Sequence, residues 1–322
     1  MEEKLESMSI EITKKCNFRC NFCYASSNKT PAREAYISDD KIERLIHEIK
    51  VNNLTKVTIT GGEPLFEHEL FLRVLKKLHE NHITINLNTN ISLMTDQIAQ
   101  EIKDYIGAEF FVFTSLLSAD ENTCDSITGI PGSYKRVIEG IRCCKRNGLK
   151  VSLNFTISRD NVKDLNLIDN FVKQHGIERV SISRVIPPSY ERDLERNVLS
   201  RKEITQIANT LVMLNREYGI SVTSSHPLPL CIIGNDEKYD VIEAQRCRTG
   251  LRYCAVNLLT GNVFACSQEN KDYGNIYEQS LYDCWLAMKD EHGINNLAEK
   301  CRTCNLLSKC GGECRWSACT VC

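Results

Sequence analysis

The sequence MSIEITKKCNFRCNFC, residues 8–23, joins a short alternating run to three closely spaced cysteines. Residues 8–12 alternate apolar and polar side chains, which is typical of a β-strand with one buried face. Cys16, Cys20 and Cys23 follow this strand in a predicted loop. Because parallel α/β folds carry their reactive groups on the loops that follow the strands, this loop is the first candidate for a functional site.

This strand begins a repeated pattern of β-branched runs and longer amphipathic stretches, which predicts βα units around a parallel sheet. Strands are predicted at residues 8–12, 54–60, 83–88, 109–115, 150–157 and 179–185. Helices are predicted at residues 39–52, 69–81, 96–106, 134–147, 161–175 and 201–218. Six such units predict an α/β fold in the form of a partial (β/α)6 TIM-like barrel.

The pattern stops after Ile220, where a proline-containing segment leads into a cysteine-rich tail. We therefore predict a barrel domain over residues 1–230 and a small second domain over residues 231–322. Within the tail, residues 253–266 predict a hairpin and residues 280–292 a short helix. Beyond Cys301 the apolar content is too low for a core, so we expect bound metal to organise this region.

Composition excludes several classes of protein. The 322 residues are 42% hydrophobic and 25% charged, which is typical of a folded globular chain. The net charge of -2 provides no attraction to nucleic acid or to an anionic membrane. The N-terminus lacks the features of a signal peptide, and no stretch reaches transmembrane length. We therefore expect a cytoplasmic protein without a nucleic-acid or membrane partner.

The 17 cysteines are the unusual feature of this composition. Disulfides rarely persist in a reducing cytoplasm, so closely spaced cysteines there are expected to bind a metal or a cluster as thiolates. Three thiolates leave one coordination position open for a substrate, whereas four close the site. The alternative for Cys16, Cys20 and Cys23 is a set of buried or zinc-bound structural cysteines.

The CxxxCxxC spacing of Cys16, Cys20 and Cys23 after the first strand resembles the hallmark of the radical S-adenosylmethionine (SAM) enzymes, which have a partial (β/α)6 barrel. The resemblance implies that these cysteines bind a [4Fe-4S] cluster whose unique iron chelates SAM. It also implies that SAM is cleaved to a 5'-deoxyadenosyl radical, which takes hydrogen from the substrate. A flavodoxin or ferredoxin would supply the electron, and Phe22 would pack near the adenine.

A second motif, TGGEP at residues 60–64, corresponds to the GGEP segment of that family. Glycines allow the backbone to approach a ligand closely, and a carboxylate accepts hydrogen bonds from an ammonium group. The resemblance implies that Gly61, Gly62 and Glu63 bind the amino group of SAM. The alternative is a Gly-Gly turn before a helix, with Glu63 favourably placed at the helix N-terminus.

Three more polar residues are candidates for contacts with SAM. Ser115 ends the fourth strand and Asn154 lies similarly in the fifth, with capping or solvation as the alternative for both. Cys124 and Thr128 stand where the family usually has a histidine and an arginine. Because that arginine often holds the SAM carboxylate, Arg184 at the end of the sixth strand is the candidate to replace it.

The tail cysteines resemble those of the SPASM domain, an auxiliary-cluster extension of radical SAM enzymes that act on peptides and proteins. A pair of zinc-ribbon-like sites is the alternative. The resemblance assigns four ligands to an inner cluster, nearer SAM: Cys247, Cys254, Cys266 and Cys314. It assigns to an outer cluster Cys301, Cys304, Cys310 and Cys322, with Cys319 as the alternative to the last. The protein would then carry three [4Fe-4S] clusters.

The resemblance narrows the reaction only in part. Sulfatase maturases carry an aspartate after the inner-cluster cysteine, where it can act as a base, whereas Ser267 follows Cys266 here. We therefore predict an oxidoreductase that installs a thioether or carbon-carbon crosslink in a ribosomally made peptide. The alternatives are a peptide epimerase, a small-molecule dehydrogenase and, from another class, a non-catalytic electron-transfer protein. The open three-cysteine site argues against the last of these.

Two expectations concern the substrate. Many crosslinking relatives carry an N-terminal leader-binding domain, whereas the first strand here begins near residue 8. A separate protein would then present the peptide, unless the barrel and tail bind it directly or the substrate is small. Cys231 follows two prolines in a linker that should pass near the cavity, so it is a candidate hydrogen donor to the substrate radical. The alternative is a linker cysteine without a role.

Overall fold

The computed structural model describes residues 4–25, 36–106, 111–187, 196–244 and 246–314. Its strands are β1 (Ser7–Glu11), β2 (Lys56–Thr60), β3 (Thr84–Thr89), β4 (Phe111–Leu116), β5 (Lys150–Ile157), β6 (Arg179–Arg184), β7 (Ser221–Ser224), β8 (Glu243–Ala244), β9 (Tyr253–Asn257), β10 (Asn262–Phe264) and β11 (Asp272–Asn275). Its helices are α1 (Asp39–Val51), α2 (His68–Glu80), α3 (Asp96–Ile106), α4 (Glu121–Thr128), α5 (Ser133–Arg146), α6 (Ile168–His175), α7 (Arg201–Tyr218), α8 (Leu230–Ile233), α9 (Leu281–His292), α10 (Glu299–Arg302) and α11 (Leu307–Cys310).

All of these strands belong to one sheet in the order β11-β10-β9-β1-β2-β3-β4-β5-β6-β7-β8. The strands from β1 to β8 run parallel to their neighbours. This arrangement confirms the predicted α/β fold with its six βα units, and it adds β7 and β8 at one edge. None of the helices in the described ranges is both long and apolar enough to cross a bilayer.

The two faces of the sheet differ in chemistry because successive side chains of a strand point to opposite faces. Val57, Leu87 and Ile182 belong to the face that packs on the helices, and all three are buried in the hydrophobic core. On the opposite face, Ser9 pairs in register with Thr58. We call this second face the interior face. Ser9 and Thr58 on this face are polar, in contrast to the apolar core on the other face.

The tail extends the barrel sheet at the edge formed by β1. β9 runs parallel to β1, with Ser7 opposite Tyr253 and Glu11 opposite Asn257. β9 and β10 form the predicted antiparallel hairpin, and α9 confirms the predicted helix. The sheet therefore continues across the predicted boundary at residues 230 and 231, and the division into two domains stays a prediction.

Two helical segments differ from the sequence-based prediction. The segment predicted as one helix at residues 161–175 begins as a 3-10 helix, Val162–Leu167, and continues as α6. α4 was not predicted, because its sequence ENTCDSIT is rich in residues with low helix propensity. Asp120 stabilises its start by accepting a hydrogen bond from Thr123 N at 2.8 Å, and Gly129 ends it in the left-handed conformation.

Candidate functional site

The loop after β1, residues 12–25, carries the first three cysteines, and we call it the cysteine loop. Burial raises the pKa of the Cys16 thiol to about 11, and the Glu63 carboxylate and the Cys23 thiol add to the rise. Burial also raises the pKa of Cys20, to which the thiols of Cys23, Cys16 and Cys124 contribute in that order. The three thiols therefore lie close enough to repel one another as thiolates, and a cationic group between them would remove that penalty.

α4 holds the cysteine loop in place. Arg19 N donates to Thr128 O at 2.8 Å, and Asn21 N donates to Ile127 O at 3.1 Å. The Thr128 hydroxyl lies 2.7 Å from the Ser133 hydroxyl, and the Thr128 side chain is buried. Thr128 therefore connects α4 to α5. Its side chain is uncharged, so it cannot supply the positive charge of the arginine that the family usually has at this position.

The Gly61-Gly62 pair lies against the cysteine loop. Gly62 N donates to Thr13 O at 2.7 Å, and Glu63 N donates to Lys15 O at 2.8 Å. A Cβ at Gly61 would lie 2.5 Å from Thr13 O, and a Cβ at Gly62 would lie 2.3 Å from Lys15 O. Any side chain here would push the two loops apart, so the glycines are required by this backbone approach. Their predicted contact with SAM stays a prediction.

Glu63 is completely buried beneath these loops. Its Oε1 accepts from the Thr89 hydroxyl at 2.6 Å and from Leu65 N at 3.0 Å, and its Oε2 accepts from Asn90 N at 2.6 Å. The contact with Leu65 is the capping role given above as the alternative, at the start of the 3-10 helix Pro64–Glu67. Burial raises the pKa of Glu63 to about 7. Oε2 keeps capacity for one more donor, and binding of the SAM amino group stays a prediction.

Asn90 links Glu63 to the cysteine loop, a connection that the sequence did not indicate. Its side-chain nitrogen lies 2.9 Å from Asn17 Oδ1 and 3.9 Å from Cys16 Sγ. Tyr24 was also missed, although it directly follows Cys23. Burial raises the pKa of Tyr24, and its hydroxyl is hydrogen-bonded to the Thr60 side chain.

Ser115 and Asn154 lie directly opposite each other on β4 and β5. Asn154 Nδ2 donates to Thr156 Oγ1 and to Ser183 Oγ, both at 3.0 Å, and Asn154 Oδ1 accepts from the Ser225 hydroxyl at 3.3 Å. Asn154 is therefore the centre of a hydroxyl network on the interior face. Its predicted contact with SAM is not tested by this geometry.

Phe22 is half-buried and packs against the main core together with Cys16 and Cys20. Arg184 is buried, and its guanidinium forms an ion pair with Glu313 of the tail. The charge proposed for the SAM carboxylate is thus already balanced by a carboxylate of this chain. Its role toward SAM stays a prediction.

His226 and Gln268 form a polar pair near Arg184 that the sequence analysis did not single out. Their side-chain nitrogens lie 3.5 Å apart. Within the described part of the chain, buried His226 Nδ1 and Gln268 Oε1 have no hydrogen-bond partner. Burial, and then the Arg184 charge, lowers the pKa of His226 to about 3, so its ring is neutral at physiological pH. Only their positions in the sequence could have pointed to these two residues. His226 follows β7, and Gln268 lies shortly after Cys266.

The cysteines predicted to bind the inner cluster do not all share one side of the sheet. Burial raises the pKa of Cys266 to about 11, and the nearby Cys247 thiol contributes to the rise. Cys254 pairs in register with Met8, whose side chain belongs to the core face, and its thiol interacts with that of Cys284. The strand alternation therefore places Cys254 among the helices, away from the interior face where Cys266 approaches Tyr253.

The cysteines predicted for the outer cluster lie on α10, α11 and the turn between them. Cys301, Cys304 and Cys310 are half-buried. Cys231, the predicted hydrogen donor, is exposed on α8, and its thiol interacts with that of Cys301. The two candidates for the last ligand, Cys319 and Cys322, lie outside the described residues.

The donor set of the cysteine loop suits an iron-sulfur cluster. In the ranges described here, no three His, Cys, Asp or Glu side chains converge as ligands on a single metal ion. A zinc ion would require thiolate sulfurs at about 2.3 Å from one centre, whereas a four-iron cluster binds each thiolate at a different iron. The three half-buried thiols match in number a [4Fe-4S] cluster with one open iron, and their binding of that cluster stays a prediction.

Comparison with known proteins gives a family and a curated relative. The family description "Radical SAM superfamily" matches residues 10–172 of this chain. The AdoMet-dependent heme synthase of Methanosarcina barkeri is 24% identical over 318 residues, which cover 94% of this chain and 89% of that protein. The match therefore extends through the tail as well as the barrel.

Two solved proteins share the fold. Streptococcus suis SuiB bound to S-adenosylmethionine has a TM-score of 0.77 at 18% identity, covering 97% of this chain and 73% of SuiB. SuiB has also been solved bound to its precursor peptide SuiA, with a TM-score of 0.75. The protein anSMEcpe with bound AdoMet and Cp18Cys peptide has a TM-score of 0.74 at 16% identity, covering 97% of this chain and 90% of anSMEcpe. At these identities the likeness establishes the fold.

Proposed function

Because the chain belongs to the radical SAM superfamily, we propose that it oxidises a ribosomally made peptide, with Cys16, Cys20 and Cys23 holding a [4Fe-4S] cluster and its SAM. When bound, this group supplies the 5'-deoxyadenosyl radical that takes a hydrogen atom from the substrate. The residues of the chain hold and orient this group. The Gly61-Gly62 turn and α4 hold the cysteine loop by backbone hydrogen bonds from two sides, so Cys16, Cys20 and Cys23 would hold the cluster from a fixed loop.

The polar interior face is the observation that carries the peptide proposal. Asn154, Thr156, Ser183 and Ser225 form one hydrogen-bonded network there. Hydroxyl and amide side chains can each donate and accept, so they match the alternating N–H and C=O groups of a peptide. This uncharged network can therefore form hydrogen bonds with the backbone of a peptide, and it does not require a charged substrate.

The pair formed by His226 and Gln268 supports the same proposal. The buried atoms His226 Nδ1 and Gln268 Oε1 are without partners in the described ranges, and unpaired buried polar atoms are costly. Because Gln268 Nε2 can only donate, His226 Nε2 accepts from it and the neutral ring carries its proton on Nδ1. His226 Nδ1 then requires an acceptor and Gln268 Oε1 a donor, and the C=O and N–H groups of a peptide backbone supply one of each. Peptides bound to SuiB and to anSMEcpe, which share this fold, agree with such a site.

We propose a thioether or carbon-carbon crosslink as the product, which removes two hydrogens from the peptide. Epimerisation is the alternative within the same substrate class, and it leaves the mass of the peptide unchanged. The auxiliary clusters assigned to the tail belong to this proposal. So do a flavodoxin or ferredoxin reductant and a separate protein that presents the peptide.

A second candidate is the modification of a tetrapyrrole, as the name of the heme synthase relative indicates for that protein. Tetrapyrrole carboxylates call for arginine or lysine. Arg184 is a buried cation at the end of β6, and Glu313 already pairs with it. This pairing makes the peptide the better-supported substrate.

The test uses anaerobically reconstituted protein, SAM and a reductant, with candidate peptides encoded beside the gene or with an iron porphyrin. Mass spectrometry in deuterated buffer separates the outcomes. A crosslink removes two hydrogens, epimerisation adds solvent deuterium at one carbon, and a porphyrin product supports the second candidate. The control variant, Cys16→Ala with Cys20→Ala and Cys23→Ala, should lose about a third of the iron and all SAM cleavage. Tightly bound zinc in the wild type would contradict the whole proposal.

A further inference from the structure

Asn90 lies directly after β3, and it contacts both parts of the candidate site. Its backbone N donates to Glu63 Oε2 at 2.6 Å, and its side-chain Nδ2 lies 3.9 Å from Cys16 Sγ. Glu63 is the residue predicted to bind the amino group of SAM, and Cys16 is a predicted ligand of the cluster. One residue of the chain therefore connects these two predicted roles.

The side-chain amide of Asn90 has a single orientation. Its Oδ1 accepts from Ser92 N at 3.0 Å and from the Ser92 hydroxyl at 2.6 Å. A backbone N–H can only donate, so the amide oxygen must face Ser92 and the amide nitrogen must face the cysteine loop. Asn90 therefore presents an N–H group, and not a carbonyl oxygen, to the sulfur of Cys16.

Asn17 closes a ring of three side chains with Asn90 and Ser92. Asn90 Nδ2 donates to Asn17 Oδ1 at 2.9 Å, and Asn17 Nδ2 donates to Ser92 Oγ at 2.8 Å. The Ser92 hydroxyl completes the ring by donating to Asn90 Oδ1. An amide nitrogen carries two hydrogens, and the ring uses only one of those on Asn90 Nδ2. The other remains for Cys16 Sγ.

The backbone that follows Asn90 is strained. Ile91 has a φ of 60°, in the left-handed region that a β-branched residue rarely adopts. Met94 N donates to Ile91 O at 3.0 Å, and a Cβ at Gly140 of α5 would lie only 2.2 Å from this oxygen. Packing against α5 therefore holds the turn. Strained backbone that is held by its surroundings is concentrated at functional sites.

The Cys16 sulfur receives a second N–H group from its own loop. Phe18 N donates to Cys16 Sγ at 3.4 Å. Hydrogen bonds to the sulfur ligands are among the features that set the reduction potential of an iron-sulfur cluster. An N–H donor stabilises the negative charge on sulfur, and reduction adds one more electron to that charge. Donors at Cys16 therefore favour the reduced state of a cluster bound there.

We propose that Asn90 is a positioning residue that raises the reduction potential of the cluster on the cysteine loop, by donating its second Nδ2 hydrogen to Cys16 Sγ. Reduction transfers one electron from the external carrier, which is oxidised, to the cluster, and the Asn90 hydrogen stays on nitrogen. The inference rests on the proposed function, because it requires a cluster on this loop, and it is independent of the substrate.

The first test measures the reduction potential of the wild type, Asn90→Leu and Asn90→Asp by redox titration followed by electron paramagnetic resonance. The signal that changes when SAM is added identifies the cluster of the cysteine loop. At a fixed applied potential, we expect the ratio of reduced to oxidised cluster to fall about tenfold in Asn90→Leu, which equals about 59 mV for one electron. Asn90→Asp replaces the N–H donor by an oxygen, so its ratio should fall at least as far.

Ser92→Ala is the matched control. It removes a hydroxyl of the ring, whereas Ser92 N still donates to Asn90 Oδ1 and keeps Asn90 Nδ2 toward the cysteine loop. We expect its potential to match the wild type, with full iron in every variant. An unchanged potential in both Asn90 variants that carry full iron would overturn the inference and leave the proposed function standing. An equal fall in Ser92→Ala would also overturn it, since the effect would then come from the loop as a whole.

The second test uses the wild type, so it holds even if the Asn90 variants fail to bind iron. Protein labelled with nitrogen-15 only in asparagine side-chain amides is reduced and measured by pulsed electron paramagnetic resonance. We expect a nitrogen-15 coupling on the SAM-sensitive signal from Asn90 Nδ2, because Asn17 Nδ2 donates to Ser92. Absence of this coupling would refute the inference alone. A wild type that binds no iron would refute the proposed function as well.

Discussion

Arg184 at the end of β6 and Glu313 in the tail form an ion pair whose side chains are 3% and 1% exposed. The same guanidinium donates through Nη1 to Pro227 O at 2.9 Å. One arginine therefore joins the barrel, the linker and the residue before Cys314. Because the pair is buried, its loss affects the whole junction between barrel and tail.

Removal of either partner of this pair is expected to destabilise the protein by about 3–5 kcal/mol, since an unpaired charge would remain buried. Arg184→Met combined with Glu313→Leu should cost less than the sum of the two single changes. Urea unfolding of the reconstituted variants measures this coupling. If the losses in unfolding free energy of the two single variants add up to that of the double variant, the two side chains do not depend on each other.

Glu63→Gln is expected to weaken SAM binding by about tenfold, because it removes a charge opposite an ammonium group. Iron content should stay unchanged, since no thiolate is altered. Equilibrium dialysis with labelled SAM measures the affinity, and Glu67→Gln, which removes the partner of Lys15, is the control. An unchanged affinity with reduced stability would leave Glu63 with its capping role alone.

The pH dependence of stability should reveal the burial of Glu63. Its pKa is raised from 4.5 to about 7 by burial, so the folded protein keeps a proton that the unfolded chain releases. Stability from this group therefore falls as the pH rises from 4.5 to about 7. The midpoint of urea unfolding, followed across this range, should decline in the wild type and less in Glu63→Gln. Equal slopes in the two proteins would argue against a buried, titrating carboxyl group.

Gly62→Ala should displace the cysteine loop, because the new Cβ would lie 2.3 Å from Lys15 O. We expect loss of about a third of the iron and of SAM cleavage, with the tail clusters retained. Gly293→Ala is the matched control, since its Cβ would meet Lys289 O at an ordinary 3.9 Å. Iron analysis and release of 5'-deoxyadenosine check both variants, and normal values in Gly62→Ala would contradict the close backbone approach.

If the tail carries the proposed inner cluster, Cys254→Ala should keep it, because Cys254 faces the helices beside Cys284. Cys247→Ala should lose about four irons from that cluster, since Cys247 lies near Cys266. Mössbauer spectra of the two variants measure the difference. If both lose the same iron, Cys254 is a ligand as the resemblance implies, and the strand must turn when the cluster binds.

Local patterns of the sequence determined most of the fold. Alternation along residues 8–12 and the helical period of residues 201–218 are properties of short segments, and β1 and α7 match them closely. The cysteine spacing pointed to the candidate loop for the same reason, since it too is a property of a short segment. α4 was missed because its helix propensity is low, and it is stabilised by the Asp120 cap and by backbone hydrogen bonds from the cysteine loop.

Only the tertiary structure decided which side chains meet. Glu313 neutralises Arg184 across 129 positions of sequence, so an arginine that looked available for SAM is already paired. Cys254 and Cys266 are close in sequence, yet pairing of β9 with β1 directs Cys254 toward the helices. Cys231 appears in sequence as a linker residue, yet its thiol interacts with that of Cys301 in the tail. Such contacts follow from strand order and helix packing, which no single segment of the chain encodes.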